Sequence, residues 1–385
     1  LPRLALLEGR ATQLPPHHAF HRGASAVSAR NAHSHYPKPK ACPLMTTSPT
    51  PARYDVAALG NAIVDILARA ADDDLSRMAL AKGHMALVDA AQAKDLYAQM
   101  GAAVEMSGGS AANTAVGVAS LGGSAAFFGR VAGDKFGEIF RHDIEAAHVA
   151  FRSPADSDAE LPTGQCLVFV TPDGERTMCT SLGIAPQLSV EQLEEETIAA
   201  AQVTYLEGYL HDAPVAIAAL TKAAQIAHAH GRHVALTLSD AFCVDRHRDA
   251  FKAFISAHVD LLFANEAEIT SLAQMDDVLA ASRAIAPHCA QLIVTRGPMG
   301  ALLVNGEGTV EEVPVERPVE VVDTTGAGDL FAAGYLFGHA RNMAPRDAAR
   351  LAHLCAGEII GGLGARPQRI LKTLAAEYGL VDASA

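Results

Sequence analysis

The sequence predicts an α/β protein with a mostly parallel central sheet, helices on both of its faces, and a smaller β-sheet beside it. Three observations carry this. Strand-like runs such as "HVALTLS" (233–239), "VDLLFA" (259–264) and "QLIVT" (291–295) alternate with helical stretches, the order that right-handed βαβ crossovers require. Within them, "LLFA" and "LIVT" are apolar at consecutive positions, which suits strands covered on both sides. By contrast, "GHMALVDA" (83–90) and "GQCLVFVTPDGERTMCTSLG" (164–183) read as strands without intervening helices. The Pro-Asp-Gly turn of the second makes it an antiparallel hairpin. Such a small sheet either pads an edge or covers a binding cleft as a lid.

In chain order, residues 1–50 stand apart. They show no sustained hydrophobic period, and residues 1–44 hold six Lys/Arg against one Glu. The expectation is an extension outside the fold, either a targeting segment or a non-native upstream stretch preceding Met45. A single folded domain is expected over 51–375, with a tail at 376–385. "YDVAAL" (54–59) is the first strand, ended by Gly60. "AANTAVGVASLG" (111–122) has helical spacing closed by glycine and leads to the strand-like "AAFFG". "VAIAALTKAAQIAHAHG" (215–231) and "RHRDAFKAFISAH" (246–258) are helices flanking the strand at 233–239.

Composition narrows the functional classes. A net charge of −13 argues against a protein that coats nucleic acid, because phosphate contacts need clustered Lys and Arg. It does not exclude a phosphate-bearing ligand, since backbone N–H groups bind anions without basic side chains. No apolar run approaches the roughly 20 residues that span a bilayer. The six cysteines form no CxxC pair, so reduced thiols in a cytoplasmic protein are expected.

The most informative stretch is "VVDTTGAGDLFAAGYL" (321–336), where an acid follows three residues of little or no side chain and opens an apolar helical run. A helix beginning near Gly328 directs its first N–H groups and its positive dipole end outward. Gly326, Ala327 and Gly328 let an anion approach that backbone, and Asp329 sits beside the cradle as a candidate base. An ordinary capping acid is the blander alternative. A Walker A motif is absent, and "GAGDLF" lacks the third glycine of a dinucleotide-binding turn. A second glycine-rich turn, "EMSGGSAANTAVG" (105–117), places Gly108, Gly109 and Ser110 before a helix carrying Asn113. Alone it is either a tight strand-to-helix connection or a backbone that accommodates a polyol. In "GNAIVD" (60–65), Asn61 and Asp65 follow the first strand, where open α/β sheets bind ligands. A carboxylate there can accept two neighbouring hydroxyls.

Together these stretches resemble the PfkB/ribokinase family of sugar and nucleoside kinases, from about Tyr54 to about Gln368. "SGGSAANTAVGVASLGG" is similar to the family's N-terminal signature and "DTTGAGDLFAAGYL" to its C-terminal one. "NEAE" (265–268) resembles its NxxE element, and "VTRGPMGALLV" its nucleotide-contacting turn. Within the family, "ALGNAIVDI" and "GGSAANT" look most like adenosine kinases and their bacterial relatives described as sugar kinases. The resemblance implies a ribokinase-like three-layer αβα sandwich with a small β-sheet lid. It implies transfer of the γ-phosphoryl group of ATP to a primary hydroxyl, with Asp329 as base and the Gly326–Gly328 backbone as anion hole. It places Asn61, Asp65, Gly108, Gly109, Ser110 and Asn113 at the acceptor, and Asn265, Thr295, Gly297, Gly300 and Thr325 at ATP. Glu268 would act on Mg²⁺ through water, and K⁺ is a further candidate cofactor. "GLGARP" (362–367) would line the adenine end. The partners expected are ATP and adenosine or a small sugar such as fructose or ribose. A binding protein without turnover is a third reading. Pro298 and the absence of Trp depart from the family pattern on the purine-binding sides.

Overall fold

A computed structural model of the chain describes residues 52–362 and 364–382. The extension expected at 1–50 lies outside the described residues.

Nine strands form the large sheet. In spatial order they are Val310–Val313, Ala301–Asn305, Gln291–Thr295, Leu261–Asn265, His233–Thr237, Ala201–Glu207, Tyr54–Leu59, Ala125–Phe128 and Val149–Phe151. The seven from Gln291–Thr295 onward are mutually parallel, and the first two pair antiparallel at one edge. Residues of strand Tyr54–Leu59 serve both faces: Val56 and Ala58 enter one hydrophobic cluster, Ala57 and Leu59 the other. Helices Pro214–Ala229 and Ala241–His258 bury their apolar side in the second cluster. Helices Ser110–Ser120, Ala327–Ala340 and Pro345–Ile360 pack in the first. The result is the three-layer sandwich expected from the alternating pattern. Leu330, Tyr335 and Leu336 of Ala327–Ala340 are fully buried. At about 1.5–3 kcal/mol for each large apolar side chain, this holds the helix, and therefore Asp329 in its first turn, in one place.

The smaller sheet has five strands in the order Met85–Leu87, Arg176–Ser181, Gly164–Val170, Ile63–Arg69 and Ala103–Gly108. The hairpin expected at 164–183 is present, with Gln165 opposite Ser181 and Val170 opposite Arg176. Two of these strands were not anticipated. Asp65 lies inside Ile63–Arg69 rather than in a loop beyond the first strand: the chain leaves the large sheet at Leu59 and enters the small one at Ile63, after three intervening residues. The alternation of buried Val64, Ile66 and Ala68 with half-buried Ile63, Asp65 and Leu67 marks the strand. It was hidden because both faces carry apolar residues. At the other end of the chain, helix Leu371–Glu377 crosses into the expected tail, and Leu380 and Val381 pack against the first core cluster.

Candidate active site

Asp329 stands at the meeting point of the three stretches singled out in the sequence. Helix Ala327–Ala340 begins directly after Gly326, whose φ of +77° suits glycine, and Asp329 occupies its first turn. A Cβ on Gly326 would come within 3.0 Å of Ala365, so that side of the turn is packed. One on Gly328 would meet no atom within 4 Å, so the helix start opens on that side as a cradle that a side chain would fill. The Asp329 carboxylate accepts from the Ser110 hydroxyl at 2.6 Å and from the Asn113 amide at 3.0 Å, and Thr114 Oγ1 donates to the Asp329 carbonyl at 3.1 Å. Burial raises its pKa, opposed by those two hydrogen bonds and by the charge of Arg366. The Asn113 carbonyl oxygen is buried without a partner.

The turn before helix Ser110–Ser120 needs its two glycines. Gly109 has φ +96°, and a Cβ there would lie 2.2 Å from the Asn61 carbonyl oxygen. On Gly108 a Cβ would collide with the Asp65 carboxylate, 2.3 Å from Oδ2. Asp65 therefore rests on the Gly108 backbone. Burial lifts its pKa to about 6; Arg366 lowers it, Asp329 raises it and Arg176 lowers it.

Sequence reasoning missed Glu207, at the carboxyl end of strand Ala201–Glu207 and 1% exposed. It accepts three N–H bonds, from the Asn61 backbone (3.2 Å), the Asn61 side chain (2.8 Å) and Ala111 (3.0 Å). Burial dominates, and its pKa rises to about 7. The signal available was positional: it is an acid at a strand's carboxyl end in an α/β sheet, inside the otherwise plain run "YLEGYL". The side-chain Oδ1 of Asn61 is buried without a partner.

Two arginines join the site. Arg176, on the small sheet, pairs with Asp323 at 2.7 Å, and its Nη1 donates to Thr325 at 3.4 Å. Asp323 also accepts from the Thr325 backbone (3.0 Å), the Thr325 hydroxyl (2.8 Å) and the Gly364 N–H (2.9 Å). Arg176 thus reaches the loop ahead of the helix start at Gly326, with its side chain 9% exposed. Arg366, expected at an adenine end, instead reaches the Gly108–Gly109 turn, donating to Ser107 and Ala112.

Asn265 and Glu268 form a reciprocal capping box. Asn265 Oδ1 accepts from the Glu268 N–H at 2.9 Å, while the Glu268 carboxylate accepts the Asn265 N–H at 2.9 Å and its amide at 2.6 Å. Glu268 is 5% exposed, and burial lifts its pKa to about 7. Asn265 ends its strand directly opposite Thr295, so these two are neighbours, and Thr295 leads into the Gly297–Met299 turn closed by Gly300. Among the described residues, no group of three or more His, Cys, Asp or Glu could hold a metal ion. Nor is any described helix long and apolar enough to cross a membrane.

A carboxylate beside an open helix start, with a second carboxylate and a covering sheet nearby, is suited to activating a hydroxyl against an electrophile that carries negative charge. Comparison with known proteins agrees. A probable sugar kinase of Rhizobium etli is 46% identical with a TM-score of 0.79, covering 86% of this chain and 100% of that one. The adenosine kinase of Sinorhizobium meliloti is 47% identical with a TM-score of 0.78, covering 85% and 100%. The adenosine kinase of Saccharomyces cerevisiae is 29% identical over 306 residues, 74% of this chain and 88% of that protein. Residues 81–370 match the profile of the pfkB family carbohydrate kinases. The chain belongs to that family and is a phosphotransferase acting on an alcohol acceptor.

Proposed function

We propose that the acceptor is adenosine and that the product is AMP. The observation that supports this is the cleft-facing row of the small sheet next to Asp65. Directly paired residues share a face, so Met85, Met178, Val168, Leu67 and Val104 form one apolar row across five strands. The adjacent row holds Asp65 between Met106 and Cys166. Arg176, two residues beyond Met178 on the same face, contacts the catalytic loop, so the sheet lies over the cleft. A carboxylate able to take a vicinal diol beside a broad apolar strip fits a ribose joined to a flat base. A small sugar would satisfy Asp65 and leave the strip uncovered.

In this reading Asp65, Asn61 and the Gly108–Gly109 backbone hold the ribose, and the unpartnered oxygens of Asn61 and Asn113 accept from its hydroxyls. Asp329 takes the proton of the 5′-hydroxyl as that oxygen bonds to the γ-phosphorus and the bond to the bridging oxygen of ADP breaks. Its raised pKa strengthens it as a base. The N–H groups at Gly326–Gly328 stabilise charge on the group in transit. Thr295, Gly297, Gly300 and Thr325 line the path of the nucleotide, and the closed sheet excludes water. Magnesium, when bound, supplies charge neutralisation on the phosphates. Exposed Asn265, with buried Glu268 behind it, would orient the waters that such an ion keeps.

The experiment is ADP release from Mg-ATP with adenosine, inosine, ribose and fructose, in sodium and in potassium buffer, beside Asp329→Asn. Turnover confined to adenosine and lost in the variant is expected. Turnover on a sugar in place of adenosine overturns the acceptor. Undiminished turnover in Asp329→Asn overturns the base.

A further inference from the structure

We propose that Arg366 is a positioning residue of the acceptor site, clamping the Gly108–Gly109 turn from both sides and holding Asp65 and Asp329 in working register. This rests on the kinase reading above but not on which acceptor is used. The geometry is direct. Arg366 Nη2 donates to the Ser107 carbonyl at 2.5 Å and to its hydroxyl oxygen at 2.8 Å, and Nη1 donates to the Ala112 carbonyl at 3.5 Å. Ser107 precedes the two glycines and Ala112 follows them, so one guanidinium ties strand Ala103–Gly108 of the small sheet to the first turn of helix Ser110–Ser120. On the far side, the Ser107 N–H and hydroxyl both donate to Asp143 Oδ2, at 2.8 and 2.6 Å. The chain Asp143–Ser107–Arg366 therefore joins helix Lys135–Ala146, strand Ala103–Gly108 and the loop before helix Leu371–Glu377. The clamped turn carries what the chemistry uses: Asp65 rests on Gly108, and Ser110 and Asn113 bond the Asp329 carboxylate.

Arg366 also follows Gly364 and Ala365, which touch Asp323 and Gly326. The same short segment thus contacts the anion cradle and the acceptor turn. A lysine could replace the charge but could not span both Ser107 and Ala112 as the planar fork does.

The charged neighbourhood gives a readout that packing alone does not move. Asp65, Asp143 and Asp329 act on Arg366. Asp65 also feels Arg176 and acts on Cys166, while Asp329 acts on Glu207, Tyr205 and Tyr209. Arg366 favours the ionised forms of Asp65 and Asp329, so its removal raises both. An opposite charge at short range shifts a carboxyl by about one unit or more.

The test uses the full chain, Arg366→Gln and Arg366→Lys, with whichever acceptor the wild type turns over. Expected for Arg366→Gln is a rise of roughly tenfold in acceptor KM, an ATP KM within about twofold, and an acid limb of kcat/KM displaced upward by about one pH unit. Arg366→Lys is expected to restore the limb but not the KM. An unmoved limb and KM in Arg366→Gln, or an ATP KM that rises as much as the acceptor's, overturns the proposal. Thermal unfolding without substrates reads the same point independently of turnover. The deficit of Arg366→Gln should grow as pH rises through the carboxylate range, because Asp65 and Asp329 then ionise without their cation. A deficit constant across pH 5 to 8 overturns it. If no acceptor is turned over while the deficit grows with pH, the functional reading fails and the positioning role stands.

Discussion

Arg176 Nη2 lies 2.7 Å from Asp323 Oδ2, and the two side chains are 9% and 7% exposed. The pair links the far row of the small sheet to the loop that leads into the helix start at Gly326, beside the weaker bond from Arg176 to Thr325. Arg176→Ala leaves Asp323 with its N–H and hydroxyl donors but without its cation. Stability is expected to fall by about 1–3 kcal/mol, below the full cost of an orphaned buried charge because those donors remain. Turnover should drop at least about tenfold, since the sheet no longer draws the loop into place. Urea unfolding and steady-state kinetics check the two together; a stability loss with unchanged kcat would separate the pair from catalysis.

Asp329→Asn preserves shape and keeps a hydrogen-bonding group near Ser110 and Asn113 while removing the proposed base. A loss of about 10²–10⁴ in kcat is expected, with nucleotide binding retained. As the proposed base, Asp329 would act deprotonated, and burial raises its pKa. The rate should therefore climb with pH past the ordinary carboxylate range before levelling. A pH–rate profile flat from pH 5 upward would contradict this.

Glu207, Glu268 and Asp65 have pKa values raised to about 7, about 7 and about 6. Between the ordinary carboxylate range and those values the folded state binds protons that the unfolded chain has released. Their contribution to stability is present at low pH and is lost as pH rises through the folded pKa. Substrate-free protein is therefore expected to melt at lower temperature at pH 8 than at pH 6. Glu207→Gln should flatten that dependence, yet lose about 1–3 kcal/mol because its amide N–H₂ faces one of the three N–H donors. Melting curves at four pH values are enough to check both signs.

Met178→Gln and Leu67→Gln place polar groups in the apolar row while leaving Asp65 untouched. A roughly tenfold rise in KM for adenosine is expected from each, since a polar side chain against the base remains unpaired. Any residual turnover of ribose should change by less than about twofold. Equal effects on nucleoside and sugar would remove the strip from the acceptor site.

Much of this protein is legible along the chain. The alternation around "HVALTLS", "VDLLFA" and "QLIVT" determined the parallel sheet, because buried strands and their crossover helices write local periodic patterns. The helix start at Gly326–Asp329 and the glycine pair at 108–109 were likewise visible, since backbone geometry there admits few residue types. Tertiary structure alone decided the company those motifs keep. Glu207 beneath Asn61, Arg176 on Asp323 and Arg366 across the glycine turn are single side chains in unpatterned stretches, meeting partners 146, 147 and 259 residues away. Ile63–Arg69 was hidden as a strand because Ile63 and Leu67 on its less buried face are apolar like Val64, Ile66 and Ala68 on the other, which blurred the polar alternation of a half-buried strand. Periodicity reports what a segment buries locally. Charge pairing and cleft lining depend on which distant segments folding brings together.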